Sequence, residues 1–125
     1  RLAAAQGYVT TLRGRRRDFS NLANLPEGPQ RSAAEREAIN SPIQGSAADI
    51  MKQAMIDLHT AIRERKLRSR ILLQVHDELV LEAPEDEVLE AAELTRKVMR
   101  EAYPLKVPLK VDVETGANWL DMVKV

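Results

Sequence analysis

The stretch Gln74-Val75-His76-Asp77-Glu78-Leu79-Val80-Leu81-Glu82 decides how the rest of the chain reads. Ile71-Leu72-Leu73 and Val75 form one apolar run, and Leu79-Val80-Leu81 forms a second after three polar residues. Two β-prone runs joined by so short a break predict a hairpin. The break holds neither Gly nor Asn, so ease of turning does not account for its residues. It sets two adjacent carboxylates and an imidazole at the tip instead. Like charges side by side repel unless a cation neutralises them. A hard divalent ion such as Mg2+ binds through one or two carboxylates and keeps its other positions for water and phosphate oxygens. Two readings of the tip stand open on these residues alone: a solvated acidic bend, or half of a cation site.

Working outward, 125 residues make one domain or a piece of a larger one. A chain of this size buries roughly two-thirds of its surface without needing staples. At 44% hydrophobic and 30% charged residues it has the composition of a soluble globular protein. No apolar run approaches the ~20 residues of a membrane span, and no signal peptide is seen. The absence of cysteine excludes disulfides and thiolate metal sites and is compatible with a cytoplasmic location. Net charge is zero, yet Arg13, Arg15, Arg16 and Arg17 crowd one segment and Glu85, Asp86 and Glu87 another. A local basic cluster in a neutral chain suits a phosphate contact better than a general nucleic-acid surface. A chain that begins at Arg1 instead of Met is expected to be a processed or excised fragment.

Upstream of the bend, Leu2 to Gln6 reads as the tail of a helix ending near Gly7. Tyr8-Val9-Thr10-Thr11-Leu12, the turn at Arg13-Gly14 and the stretch from Arg15 to Phe19 predict a small basic hairpin, and Ser20 to Pro29 a loop. Ser32-Ala33-Ala34-Glu35 is a capping box that predicts a helix from Ala33, with a kink or break near Pro42. Ser46 is then expected to cap a second segment, apolar at Ala47, Ile50, Met51, Ala54, Leu58, Ala61 and Ile62 and ending near Arg65. Downstream, Pro84 and the acidic triplet open a helix whose apolar face is Val88, Ala91, Ala92, Thr95, Val98, Met99 and Ala102. Leu105, Val107, Leu109, Val111 and Val113 alternate with polar residues and Pro108, predicting a half-buried edge strand. Gly116 to Val125 reads as a tail anchored by Trp119.

After the first hairpin the order is helix, strand, strand, helix, strand. One strand added in front gives the split βαβ arrangement, in which that first strand lies inside the sheet. The expected fold is therefore α+β, an antiparallel sheet packed on two long helices with its first strand missing, plus a small N-terminal basic hairpin. Such a chain alone is expected to fold poorly or self-associate. Arg36, Asn40 and Gln44, four apart, share one helical face and can all donate hydrogen bonds. They read as a solvated polar face or as a row of donors tracking a groove.

The run Ala34-Glu35-Arg36-Glu37-Ala38-Ile39-Asn40-Ser41-Pro42-Ile43-Gln44-Gly45-Ser46-Ala47-Ala48-Asp49-Ile50, followed by Gln74-Val75-His76-Asp77-Glu78-Leu79-Val80, closely resembles the C-terminal palm of A-family DNA polymerases of the bacterial DNA polymerase I type. Gly7-Tyr8-Val9 with Thr11 to Arg17 resembles the segment after that family's fingers. Val107-Pro108-Leu109-Lys110-Val111 with Asn118-Trp119 resembles its final strand and tail. The resemblance divides the chain into 1–31, the end of a fingers helix with the hairpin and loop, and 32–125, the C-terminal part of the palm.

The resemblance implies that Asp77 is one of two aspartates binding a pair of Mg2+ ions for nucleotidyl transfer to a primer 3′-hydroxyl, with Glu78 an auxiliary carboxylate. Two metals about 3.5–4 Å apart activate the attacking hydroxyl and neutralise the leaving pyrophosphate. It places His76 by the primer terminus, and Arg36, Asn40 and Gln44 on the primer-template minor groove, whose degenerate acceptors let donors check pair shape without reading sequence. Arg15 and Arg16 are candidate phosphate contacts. Primer-template DNA, deoxynucleoside triphosphates and the remaining polymerase segment or chain are the implied partners, with no membrane. Two departures stand out: the Phe19 to Pro29 loop does not follow the family, and Ser46 stands where Thr is commoner. The upstream aspartate strand and the fingers helix have no counterpart here, so this chain alone is not expected to polymerise. The alternative is a non-catalytic nucleic-acid-binding or structural palm-like module.

Overall fold

A computed structural model describes residues 2–125, side chains from residue 3. The chain divides into two compact units, 1–50 and 51–125, with the division falling inside a long helix. The fold is α+β, with long helices and three separate two-stranded antiparallel sheets.

In the first unit, α1 (Leu2–Gln6) stops at Gly7, whose φ of +79° provides the left-handed residue that ends many helices. Strands β1 (Tyr8–Thr10) and β2 (Arg16–Asp18) pair as the expected basic hairpin, turning at Gly14, also at φ +79°. The loop that follows hides a short 3-10 turn, Leu22–Asn24, and Leu22 is 4% exposed. It packs with Ala3, Val9 and Ala38 to form a small core. Apolar spacing too short for periodicity conceals such a residue in sequence.

Helix α2 runs from Pro29 to Glu64 without a break, which corrects two expectations. It opens four residues before Ala33, because Pro29 occupies the first helical position, where its missing N–H is not required. The Ser32 N–H already donates to Gly28 O at 3.0 Å, so Ser32 lies inside the first turn. Nor does Ser46 cap a second segment: its Oγ accepts from the Leu12 N–H at 3.0 Å. Pro42 sits in mid-helix, a position that costs about 3 kcal/mol in an isolated helix. Continuity there needs help from outside the helix.

In the second unit, α2 ends in a Schellman motif. The Leu67 N–H donates to Ile62 O and the Lys66 N–H to Arg63 O, with Lys66 left-handed at φ +55°. Leu58, Ile62 and Leu94 form the core here, joined by Leu67, Ile71, Leu79, Leu81 and Val98. Strands β3 (Arg70–Val75) and β4 (Glu78–Glu82) pair as the decisive hairpin, with Val75 opposite Glu78. Leu72 is an extra residue between the pairs Ile71–Leu81 and Leu73–Val80, a bulge that changes which side chains face inward. The acidic triplet Glu85–Glu87 forms a 3-10 turn, and α3 follows at Val88–Arg100, burying Ala91, Ala92, Leu94 and Thr95.

The half-buried strand expected over 105–113 is not paired into a sheet among the described residues. Alternating burial survives at Leu109, Val111 and Val113, while Val107 is 67% exposed. Side-chain pattern sets which residues face inward, but a ladder also needs a neighbouring strand. Strands appear only further on, as β5 (Glu114–Gly116) pairs with β6 (Met122–Lys124). Trp119 lies at the turn between them and is 54% exposed, so it does not anchor the tail in this chain.

Candidate functional site

Two separate patches, one in each unit, hold the residues singled out by sequence. In the second unit, β3 and β4 leave only His76 and Asp77 to make the bend. A two-residue bend matches the strand twist when its first residue takes positive φ, the position where Gly is preferred. His76 occupies it at φ +55°. A left-handed non-glycine residue carries strain of order 1 kcal/mol, and such residues collect at functional sites. Gln74 Nε2 donates to His76 O at 3.3 Å and braces the bend. The far end of the hairpin is pinned by Arg70 Nε, which donates to Glu82 Oε2 at 2.8 Å.

His76, Asp77 and Glu78 are all exposed. Among the described residues neither the Asp77 nor the Glu78 carboxylate accepts a hydrogen bond or joins an ion pair, although the hairpin's other acid, Glu82, pairs with Arg70. Both line a groove of about 630 Å³ between β4, α3 and the extended stretch 110–113, with Trp119 at its side. Oxygen donors on a bend match the preferences of Mg2+, which needs only one or two carboxylates from any one segment. Among the described residues no group of three or more His, Cys, Asp or Glu is gathered to hold a metal.

At the start of β3 a different acid is fully used. Glu87 accepts from the backbone N–H groups of Arg68 and Ser69, from the Ser69 hydroxyl and from Arg68 Nε. The Arg68 N–H bond, outweighing partial burial and aided by the Ser69 hydroxyl and the Arg68 guanidinium, holds its carboxyl below the usual range. Asp86 takes Arg68 Nη2 at 2.7 Å. This clamp fixes where the hairpin begins.

In the first unit, Arg36, Asn40 and Gln44 are exposed along α2, and none has a hydrogen-bond or ion-pair partner among the described residues. Ile39 and Ile43, 69% and 70% exposed, flank the row. A stripe of uncommitted donors edged by apolar side chains is available to a partner. Arg15, a candidate phosphate contact, donates from Nε to Asp49 and from Nη2 to Gly45 O at 3.2 Å. Arg16 lies over the Tyr8 ring, 3.6 Å from its centroid. Arg17 donates to Glu37 and, at 3.4 Å, to Ser41 Oγ. Sequence reading missed this second row, Glu37, Ser41, Gly45 and Asp49. Its signal was present: the same four-residue spacing as Arg36, Asn40 and Gln44, displaced by one position.

The profile of DNA polymerase family A matches residues 1–121. DNA polymerase I of Chloroflexus aurantiacus is 60% identical over 117 residues, 93% of this chain and 12% of that protein. DNA polymerase I of Geobacillus stearothermophilus is 53% identical over 119 residues, 95% of this chain and 14% of that protein. A solved structure, the POL domain of Pol1 from M. smegmatis in complex with DNA primer-template and dNTP, is similar with a TM-score of 0.80 and 54% identity. The likeness covers 87% of this chain and 19% of that one. The chain thus spans about an eighth of the length of these curated relatives. No helix among the described residues is long and apolar enough to cross a membrane. On the profile match and on identities above one half, the chain belongs to DNA polymerase family A.

Proposed function

We propose that this chain is the C-terminal palm segment of a template-directed DNA polymerase, with residues 1–31 joining it to the fingers and 32–125 forming its part of the palm. The observation that carries this reading is the pair of exposed, unpartnered carboxylates on the strained bend, facing a groove beside an extended stretch that joins no sheet among the described residues. Asp77, with Glu78 as auxiliary, holds Mg2+ together with an aspartate from another segment. When bound, the two ions supply charge neutralisation for nucleotidyl transfer to a primer 3′-hydroxyl.

The chain's own residues position what reacts. A two-stranded support fixes the Asp77 carboxylate more firmly than a loop. His76 lies by the primer terminus. Arg36, Asn40 and Gln44 donate to minor-groove acceptors shared by all correctly shaped pairs, so they accept any sequence and disfavour a mismatch. Arg15 and Arg16 reach phosphates with whatever donors their internal contacts leave. Primer-template DNA and deoxynucleoside triphosphates are the substrates. A strand from the remaining polymerase pairs along the groove, since an isolated two-stranded sheet is marginal in water.

The test is Asp77→Asn in the full-length polymerase. Nucleotide incorporation should fall by about a thousandfold, or about 4 kcal/mol of lost charge stabilisation, with primer-template affinity retained. Undiminished extension removes the catalytic assignment. Gln44→Ala should lower the ratio of matched to mismatched primer extension; an unchanged ratio leaves the donor row without its groove role.

A further inference from the structure

Helix α2 has a weak point, and the donor row straddles it. Pro42 has no N–H to give Ala38 O, so the helical ladder is interrupted between Asn40 and Gln44. Proline is the commonest cause of a sharp helix kink. Any bend there would turn Gln44 away from the line of Arg36 and Asn40. Yet the N-terminal hairpin reaches α2 on both sides of the proline. On the N-terminal side, Arg17 grips Glu37 and Ser41. On the C-terminal side, Arg15 grips Asp49 and Gly45 O, the Leu12 N–H donates to Ser46 Oγ, and Thr11 lies against Gly45. Glu37, Ser41, Gly45 and Asp49 form one row at four-residue spacing, and Arg36, Asn40 and Gln44 form its neighbour one position back. Holding the first row straight therefore aligns the second.

We infer that Arg15 and Arg17 are positioning residues that splint α2 across Pro42 and keep Arg36 and Asn40 in register with Gln44. The inference rests on the groove reading of those three donors. It also explains a feature that phosphate binding leaves unexplained: Arg15 and Arg17 of the basic cluster each pair with a carboxylate of their own chain. Gly45 has the same logic, since a Cβ there would sit 2.6 Å from Thr11 Cγ2 and push the hairpin off the helix.

The experiment is a double-mutant cycle in the full-length polymerase pairing Arg17→Ala with Gln44→Ala, read as matched against mismatched primer extension. The splint predicts that Arg17→Ala reduces discrimination about tenfold in the wild-type background and less than about twofold once Gln44 is gone. Arg17→Lys, which keeps the charge and N–H donors but not the guanidinium fork, should recover part of the loss. The salt dependence of DNA binding should not change; a slope lowered by about one marks a phosphate contact and overturns the splint. Hydrogen exchange supplies a reading apart from catalysis: amides of residues 43–46 should exchange faster in Arg17→Ala. Unchanged exchange, or additive effects of the two substitutions, overturns the proposal. If Gln44→Ala leaves discrimination intact, the groove reading itself has failed, and faster exchange then shows a brace with no positioning role.

Discussion

The Arg15 guanidinium and the Asp49 carboxylate, 34 positions apart in sequence, form a salt bridge in which the acid side chain is 4% exposed and the base 52% exposed. The asymmetry decides what each side contributes. Arginine released from this pair regains water, whereas the aspartate remains covered. Removing the arginine should therefore harm the fold more than neutralising the acid. Arg15→Ala should destabilise the full-length protein by about 2 kcal/mol and Asp49→Asn by less than about 1 kcal/mol, measured by chemical denaturation. Equal losses would show that burial of Asp49 is not what makes the pair matter.

His76 holds a backbone conformation that suits glycine. His76→Gly should raise stability by about 1 kcal/mol through relief of that strain, and at the same time slow nucleotide incorporation by removing the imidazole. A variant that gains stability and keeps full activity would show that His76 is only a bend residue.

Lys66 presents a similar backbone without a functional demand. It is the left-handed residue of the Schellman motif closing α2, a place glycine fills more easily. Lys66→Gly should stabilise the protein by about 0.5–1 kcal/mol and leave extension rates unchanged. Loss of stability would mean that the lysine stem makes packing contributions beyond the cap.

Glu87 makes a signed prediction about pH. Its carboxyl in the fold lies below the ordinary value of 4.5, chiefly through the Arg68 N–H. The clamp's contribution is complete above the unfolded value and is lost as pH falls through the folded one. Glu87→Gln should therefore lower stability at neutral pH and flatten the acid limb of the stability–pH curve below about pH 4.5. An acid limb identical to the parent's would show that other carboxylates govern it.

How much was legible in the sequence differs from element to element. The hairpin around Asp77 was readable because two short apolar runs and a short polar break admit few alternatives. The donor row was readable because four-residue spacing survives a proline when the helix continues. The helix start was misread because a capping box at Ser32 and a proline at Pro29 compete, and the proline's fixed φ prevailed. The stretch 105–113 was readable as to face but not as to pairing, since its neighbour in a ladder is not encoded by its own alternation. The pairing of Arg15 and Arg17 with α2 depended on contacts 20 to 34 residues away, which charge clustering cannot reveal.

On the proposed reading, the Asp77 bend supplies half of a magnesium site that another strand completes. Its most direct test is an anomalous difference map from crystals of the full-length polymerase with primer-template, nucleotide and Mn2+ in place of Mg2+. A peak within about 2.0–2.3 Å of an Asp77 carboxylate oxygen, shared with an aspartate on a strand lying in the groove beside β4, is the predicted result. A peak bound without Asp77, or an Asp77 side chain turned away from that strand, would contradict it.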